Sequence, residues 1–255
     1  MRFLISFFSL LTLSFSVSAA NIPIHIELNY QVSTDIGDGE IQEVMEIKHN
    51  KKGSSYVINS EAQATGVFKI VEPSSLVRHS EGILTKQGLR PLRAYERHGK
   101  KEPNSVTFDW ENMHVTLKHK GEEIKEKLPA GAMDRLSMSY SFIFVPPPKD
   151  SLERTVVHND QVRLSHYKIT QEPLKTAIGE LHTIVVTRQE EQGSKLKRKI
   201  WLAPDYNMVP VRIVSVEENG REIDKIITQI HIRYSNGHCS EKASKPETTQ
   251  RRRCH

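Results

Sequence analysis

From Asn21 to Thr34 the chain alternates without a break. Ile22, Ile24, Ile26, Leu28, Tyr30 and Val32 share one parity; Pro23, His25, Glu27, Asn29 and Gln31 share the other. A period of two with one apolar and one polar side is the pattern of a strand with one buried and one wet face. Such a strand needs other apolar surface to cover Ile24, Ile26, Leu28 and Tyr30, and the rest of the chain is built to supply it. Short apolar and β-branched runs recur at 40–49, 54–64, 74–84, 89–97, 106–110, 114–119, 123–127, 154–157, 161–170, 181–189, 196–202, 208–216 and 222–234. Tight turn signals separate many of them, among them Gly37-Asp38-Gly39, Lys120-Gly121 and Asn219-Gly220, the last a strong hairpin signal.

The stretch from Lys199 to Val214 is a hairpin in its own right. Pro204-Asp205-Tyr206-Asn207 supplies the tip, because proline fixes φ and Asp and Asn bond their own backbone. Trp201 sits on the first strand. Pro210 lacks an N–H and calls for an edge or a bulge where the second strand starts. Residues 173–179 read as a helical or turn-like connection.

The period changes once. Met133, Leu136, Tyr140 and Phe144 recur at three and four, the spacing of a helical face. Asp134 is the N-cap, and Pro146-Pro147-Pro148 forces an end. This predicts one central helix over 134–144. A run of hairpins this long must twist and curl. The expected fold is mainly β: a highly curved antiparallel sheet or unclosed β-barrel, with the helix packed against or lidding its concave face.

Residues 1–20 have the form of a cleaved secretory signal peptide, with Arg2, an apolar run from Phe3 to Phe15 and small residues at Val17 to Ala20. The run falls short of the roughly 20 residues that span a bilayer, and no later stretch reaches that length. The expected organisation is therefore a signal peptide at 1–20, a single β-rich domain at 21–235 and a polar, disordered tail at 236–255. The net charge is +5, and removal of Arg2 with the leader lowers it by one. So mild and dispersed a charge favours no nucleic acid. Of the two cysteines, Cys239 and Cys254, both lie in the tail and are a candidate disulfide in an oxidising compartment. His238-Cys239 and Cys254-His255 have zinc-ligand types, but their spacing fits no standard site. No metal or cofactor is expected.

No catalytic signature is present: no G-x-S-x-G, no H-E-x-x-H, no phosphate-cradling glycine loop. His79-Ser80-Glu81 has a deaminase-like spacing without the P-C-x-x-C that must follow. The 12 His are scattered along the strands. No catalytic residue is assigned, and the expectation is that the protein is not an enzyme.

Several stretches together resemble the exported bacterial domain of unknown function 3108. Trp201-Leu202-Ala203-Pro204-Asp205 with Pro210-Val211-Arg212-Ile213 is similar to its hairpin. Gly82-Ile83-Leu84 through Gly88-Leu89-Arg90-Pro91, the strand Val106-Thr107-Phe108-Asp109-Trp110 and the turn Thr176-Ala177-Ile178-Gly179 follow in the same order. Tyr56, Ser60, Ala62 and Gly66 add a weaker match. The resemblance implies a periplasmic protein of uncharacterised role, and an unclosed barrel similar in fold to the LolA and LolB lipoprotein carriers. Two non-enzymatic roles are then in view. In one, sheet and helix enclose an apolar groove for a lipid, acyl chain or other hydrophobic envelope molecule. Ile24, Ile26, Leu28, Tyr30, Leu136, Tyr140, Phe144 and Trp201 are its candidate residues, and a filled core is the alternative to a groove. In the other, the protein is an interaction scaffold in envelope assembly, its edge strands adding to a protein partner.

Overall fold

The first long strand and the last one lie side by side, and two runs of hairpins spread from that seam. The computed structural model describes residues 22–244 apart from 52, 72, 159, 190–193 and 218. The strands are β1 (Pro23–Thr34), β2 (Gly37–Asn50), β3 (Gly53–Ala64), β4 (Leu76–Thr85), β5 (Gly88–His98), β6 (Asn104–Asp109), β7 (His114–His119) and β8 (Glu122–Lys127). They continue with β9 (Met133–Asp134), β10 (Ser151–His158), β11 (Gln161–Thr176), β12 (Gly179–Arg188), β13 (Lys197–Ala203), β14 (Val209–Val216), β15 (Glu222–Tyr234) and β16 (Cys239–Ala243). Helix α1 (Phe68–Val71) lies between β3 and β4, and α2 (Arg135–Tyr140) follows β9.

The sheet runs β8-β7-β6-β5-β4-β3-β2-β1-β15-β14-β13-β12-β11-β10-β9, with β16 beside β15. Pairing is antiparallel except between β9 and β10. The two end strands share no hydrogen bonds, so the barrel is unclosed. Side chains bridge the gap instead: Val157 of β10 packs with Val106 and Phe108 of β6 and Val115 and Leu117 of β7. Because neighbours run antiparallel, successive turns fall at alternate ends. At one end, called the mouth below, β1, β3, β5, β7, β10, β12 and β14 finish and β2, β4, β6, β8, β11, β13 and β15 begin.

Helix α2 fills the interior as a plug, not a lid. Leu136 through Tyr140 are all buried. Leu136 and Tyr140 pack with Ile26, Leu28, Tyr30, Met45 and Ile58; Met138 and Phe142 pack with Tyr167, Val186, Ile200 and Leu202. The expected helix over 134–144 is shorter and lacks a wet side. It ends at Tyr140 and tightens into a 3₁₀ turn, Ser141–Ile143, leaving Phe144 half-buried. Its polar side can be buried because the serines bond their own chain: Ser137 Oγ to Asp134 O, Ser139 Oγ to Arg135 O and Ser141 Oγ to Met138 O.

Four other expectations need correcting. A register shift between Pro23 and His25 breaks the parity of β1, so Pro23 is buried while Ile24 is only half-buried and Ile22 is exposed. Residues 173–176 continue β11, with Pro173 opposite His182, and form no helical connection. Trp201 is buried, but on β13 it alternates with Ile200 and Leu202, which pack against α2. It therefore points to the opposite side of the sheet. Finally, Cys239–Ala243 pairs with β15, because the exposed edge of β15 offers backbone partners that a polar pattern does not advertise. Cys254 and residues 1–20 lie outside the described residues. Pro210 does stand opposite Leu202 beside a bulge.

Candidate functional site

Arginine appears where the alternation calls for apolar residues. On β13, Arg198 shares parity with Ile200 and Leu202; on β12, Arg188 shares it with Ile184 and Val186. Register puts Arg188 opposite Tyr167, and Arg198 opposite Ser215. Both guanidinium groups therefore project inward at the mouth, where a cavity of about 410 Å³ opens. Among the described residues its walls carry Lys120, Arg135, Arg163, Arg188, Lys197 and Arg198 together with Asp160 and Glu217, and Val156, Leu196 and Val216 form apolar patches.

The arginines differ in how they are held. Arg135, the first residue of α2, makes a bidentate ion pair with Glu217 at 2.8 and 3.2 Å. Its Nη1 also donates to His158 Nε2 at 3.0 Å. Arg188 is buried, and donates to Ser165 Oγ at 3.2 Å and Leu196 O at 3.3 Å. Arg198, half-buried, donates to Ser139 Oγ at 2.9 Å; among the described residues no carboxylate pairs with it. Burial, and then the charge of Arg135, pull Arg198 down to about 10, so it is cationic at neutral pH. At the rim, His119 Nδ1 is buried with no hydrogen-bond partner among the described residues.

Two buried polar anchors fix α2 and hence Arg135 and Ser139. At its start, Asp134 accepts from Leu136 N, Ser137 N and Ser80 Oγ at 2.9, 3.0 and 2.7 Å. Burial pushes its carboxyl upward despite these bonds. At its end, Tyr140 donates to Glu43 at 2.9 Å, and Glu43 also accepts from Lys225 at 2.6 Å and Ser60 at 3.1 Å. Burial alone would raise Glu43, but the charge and hydrogen bond of Lys225 outweigh it and hold it ionised.

The mouth has a pH response with a definite sign. Burial and the adjacent Arg135 hold His158 down to about 3, against an ordinary 6.5. The unfolded chain takes up that proton first, so stability is present above about pH 6.5 and is lost as pH falls toward 3. The slope reaches about 1.4 kcal/mol per pH unit for one such group. Glu217, lowered by Arg135 against the opposing effect of burial, adds loss of the same sign below its unfolded value. Urea titrations from neutral to acidic pH check this: His158→Gln should flatten the profile above pH 4.5, and an unchanged profile would remove His158 as its cause.

The eight apolar candidates do not converge on this cavity. Ile26, Leu28, Tyr30 and Tyr140 are fully buried in one packed cluster. Leu136 borders a small void of about 50 Å³, Ile24 and Phe144 are half-buried, and Trp201 lies on the opposite side; none of the eight lines the 410 Å³ space. The interior around these residues is filled core, and the open volume at the mouth is basic; Tyr30 also borders a separate polar hollow of about 580 Å³ with Glu40, Gln42, Glu61 and Gln63. Arg135, Arg188 and Arg198 escaped the sequence reading. The available signal was a charge on the apolar parity of an otherwise inward-facing strand. No group of three or more His, Cys, Asp or Glu capable of holding a metal occurs among the described residues. No helix there is long and apolar enough to cross a membrane.

A family model described as "Protein of unknown function (DUF3108)" matches residues 26–225. No curated protein matches the sequence. Among solved structures, the chain is similar to a "Beta-barrel-like Protein of Domain of Unknown Function DUF1849" from Brucella abortus. That likeness has a TM-score of 0.52 at 8% identity and covers 84% of this chain and 99% of that one. At such identity it speaks for the fold alone.

Proposed function

The chain belongs to the DUF3108 family of proteins of unknown function, and from that premise we propose that it is an exported, non-catalytic binding protein for an anionic ligand. The leader-like residues 1–20 support export to the periplasm. The ligand carries a phosphate or carboxylate group, and the arginine cavity at the mouth receives it. The observation that carries this reading is Arg198: a guanidinium in the cavity wall that donates to a serine hydroxyl, Ser139 Oγ, and among the described residues pairs with no carboxylate. Withdrawing such a charge from water costs several kcal/mol unless an opposite charge meets it. A bound anion would supply that charge, and guanidinium presents its donors in a fork that fits phosphate or carboxylate oxygens. Val156, Leu196, Val216 and Tyr167 in the same walls suit an apolar portion beside the anionic head, so an acidic lipid is one source of the ligand and a small free anion the other.

Calorimetric titration tests this with inorganic phosphate, a short-chain phosphatidic acid and a short-chain phosphatidylcholine. Arg198→Met should weaken binding of the anionic ligands at least tenfold, about the 1.4 kcal/mol that loss of a charged hydrogen bond readily exceeds. Binding of phosphatidic acid but not inorganic phosphate identifies the lipid source, and the reverse identifies the free anion. Binding of neither, or equal binding to the Arg198→Met protein, would defeat the proposal. The scaffold role is less well supported at the β8 edge, since Glu122, Glu123, Lys125, Glu126 and Lys127 are the kind of charges that discourage strand addition.

A further inference from the structure

The seam of the unclosed barrel is packed below the mouth and opens at it. Val115 and Leu117 of β7, both buried, pack with Val157 of β10. His119, the last residue of β7, shares their parity, yet with Lys120 it lines the 410 Å³ cavity. In the strand order β7 and β10 stand near opposite ends. The cavity therefore has a wall from each margin of the sheet: His119 and Lys120 on one side, and β10 to β14, with Arg198, on the other. A space of this size lies in the range that holds small ligands. Local geometry fixes the backbone at His119. Lys120 and Gly121, at φ 51° and 84°, form the tight turn that follows it, and Lys120 N donates to Asn104 Oδ1 at 3.2 Å. The ring is different: its Nδ1 is buried with no hydrogen-bond partner among the described residues. A buried polar atom left in this way costs stability and calls for a partner from outside the chain. Of the acidic lining residues, Glu217 is taken by Arg135 and Asp160 is exposed to water.

We propose that His119 is a ligand contact: the ligand places one acidic group on Arg198 and a second oxygen-bearing group on the His119 imidazole, and so bridges the two margins of the open sheet. The χ2 torsion of histidine is broad and two-fold, so a ligand can turn the ring to present that nitrogen. Lys120 beside it favours an acidic group at this second position. Bound in this way, the ligand ties β7 and β8 to β10 through β13, margins that no backbone hydrogen bond joins among the described residues. The inference rests on the anionic-ligand reading and narrows it to molecules with two oxygen-bearing heads.

Calorimetric titration with butyl phosphate and with butanediol bisphosphate tests it. The two-headed ligand should bind the wild type at least about tenfold more tightly than the one-headed ligand. In His119→Phe that advantage should fall to near parity, and His119→Gln, which keeps a polar group, should retain part of it. Without ligand, His119→Phe should melt no lower than wild type, because the nitrogen it removes has no protein partner. Hydrogen exchange should show the bisphosphate slowing amides in β7 and β8 as well as in β10 through β13. Bridging is overturned, with the cavity reading intact, if the wild type binds both phosphates equally or if His119→Phe keeps the full advantage. Protection confined to β10 through β13, or a ligand-free His119→Phe protein that melts well below wild type, overturns it as well. Binding of neither phosphate by the wild type overturns the cavity reading and bridging together.

Discussion

Lys225→Met should destabilise the protein by about 3–5 kcal/mol, the range for removing one partner of a buried ion pair. The ammonium lies 2.6 Å from Glu43 Oε1 in the interior, where their side chains are 11% and 2% exposed. Methionine keeps the apolar stem but leaves a buried carboxylate with only Tyr140 and Ser60 as donors. The stem also places the charge 4.3 Å from the centre of the Tyr30 ring, and that contact goes as well. Two features make the result diagnostic. Acidification should shrink the deficit, because a proton on Glu43 replaces the missing charge: in the variant the folded carboxyl is raised, so its contribution is lost as pH rises through that value. The double change Glu43→Leu/Lys225→Met should recover much of the loss, since an apolar pair leaves no unmatched charge. Urea unfolding of the three proteins at neutral and mildly acidic pH measures all of this. A single variant as stable as wild type would mean that the pair is not buried as described.

Trp201→Ala should cost about 3–5 kcal/mol, as truncation of buried aromatic side chains does. The ring is 5% exposed and packs in the cluster with Val185, Ala203, Val209 and Val211. Charged groups cover it: the indole N–H donates to Glu172 Oε1 at 2.6 Å, and Lys199 and Arg212 lie 4.4 and 4.9 Å from the ring centre. Those side chains are partly exposed, so their contribution is small beside that of packing. Trp201→Phe separates the two, keeping most of the apolar area and losing the hydrogen bond, for about 1 kcal/mol. Thermal melts rank the variants. Trp201→Ala melting with wild type would remove this ring from the core, and Phe as damaging as Ala would place the effect in the polar cap.

The strands, their order and most of their turns were legible because each rests on local chemistry: parity for β1 and β2, Asn219-Gly220 for the turn into β15, and Asp134 as the cap of α2, which the structure reproduces through Leu136 N and Ser137 N. The family resemblance was legible for the same reason, since its motifs are turns and hairpin strands. Parity says that two faces differ but not which becomes concave. Only the pairing of β1 with β15 and the curl of the whole sheet decided that Ile200 and Leu202 meet α2 while Trp201 faces away. Helix periodicity suggested one wet side, yet enclosure on every side buried Ser137, Ser139 and Ser141, which small size and bonds within the chain allow. The candidate site was least legible. Arg135, Arg188 and Arg198 are far apart in sequence and have the composition of an ordinary surface. The sheet makes them one basic cavity by register and curvature, which are properties of the assembled fold and of no single segment.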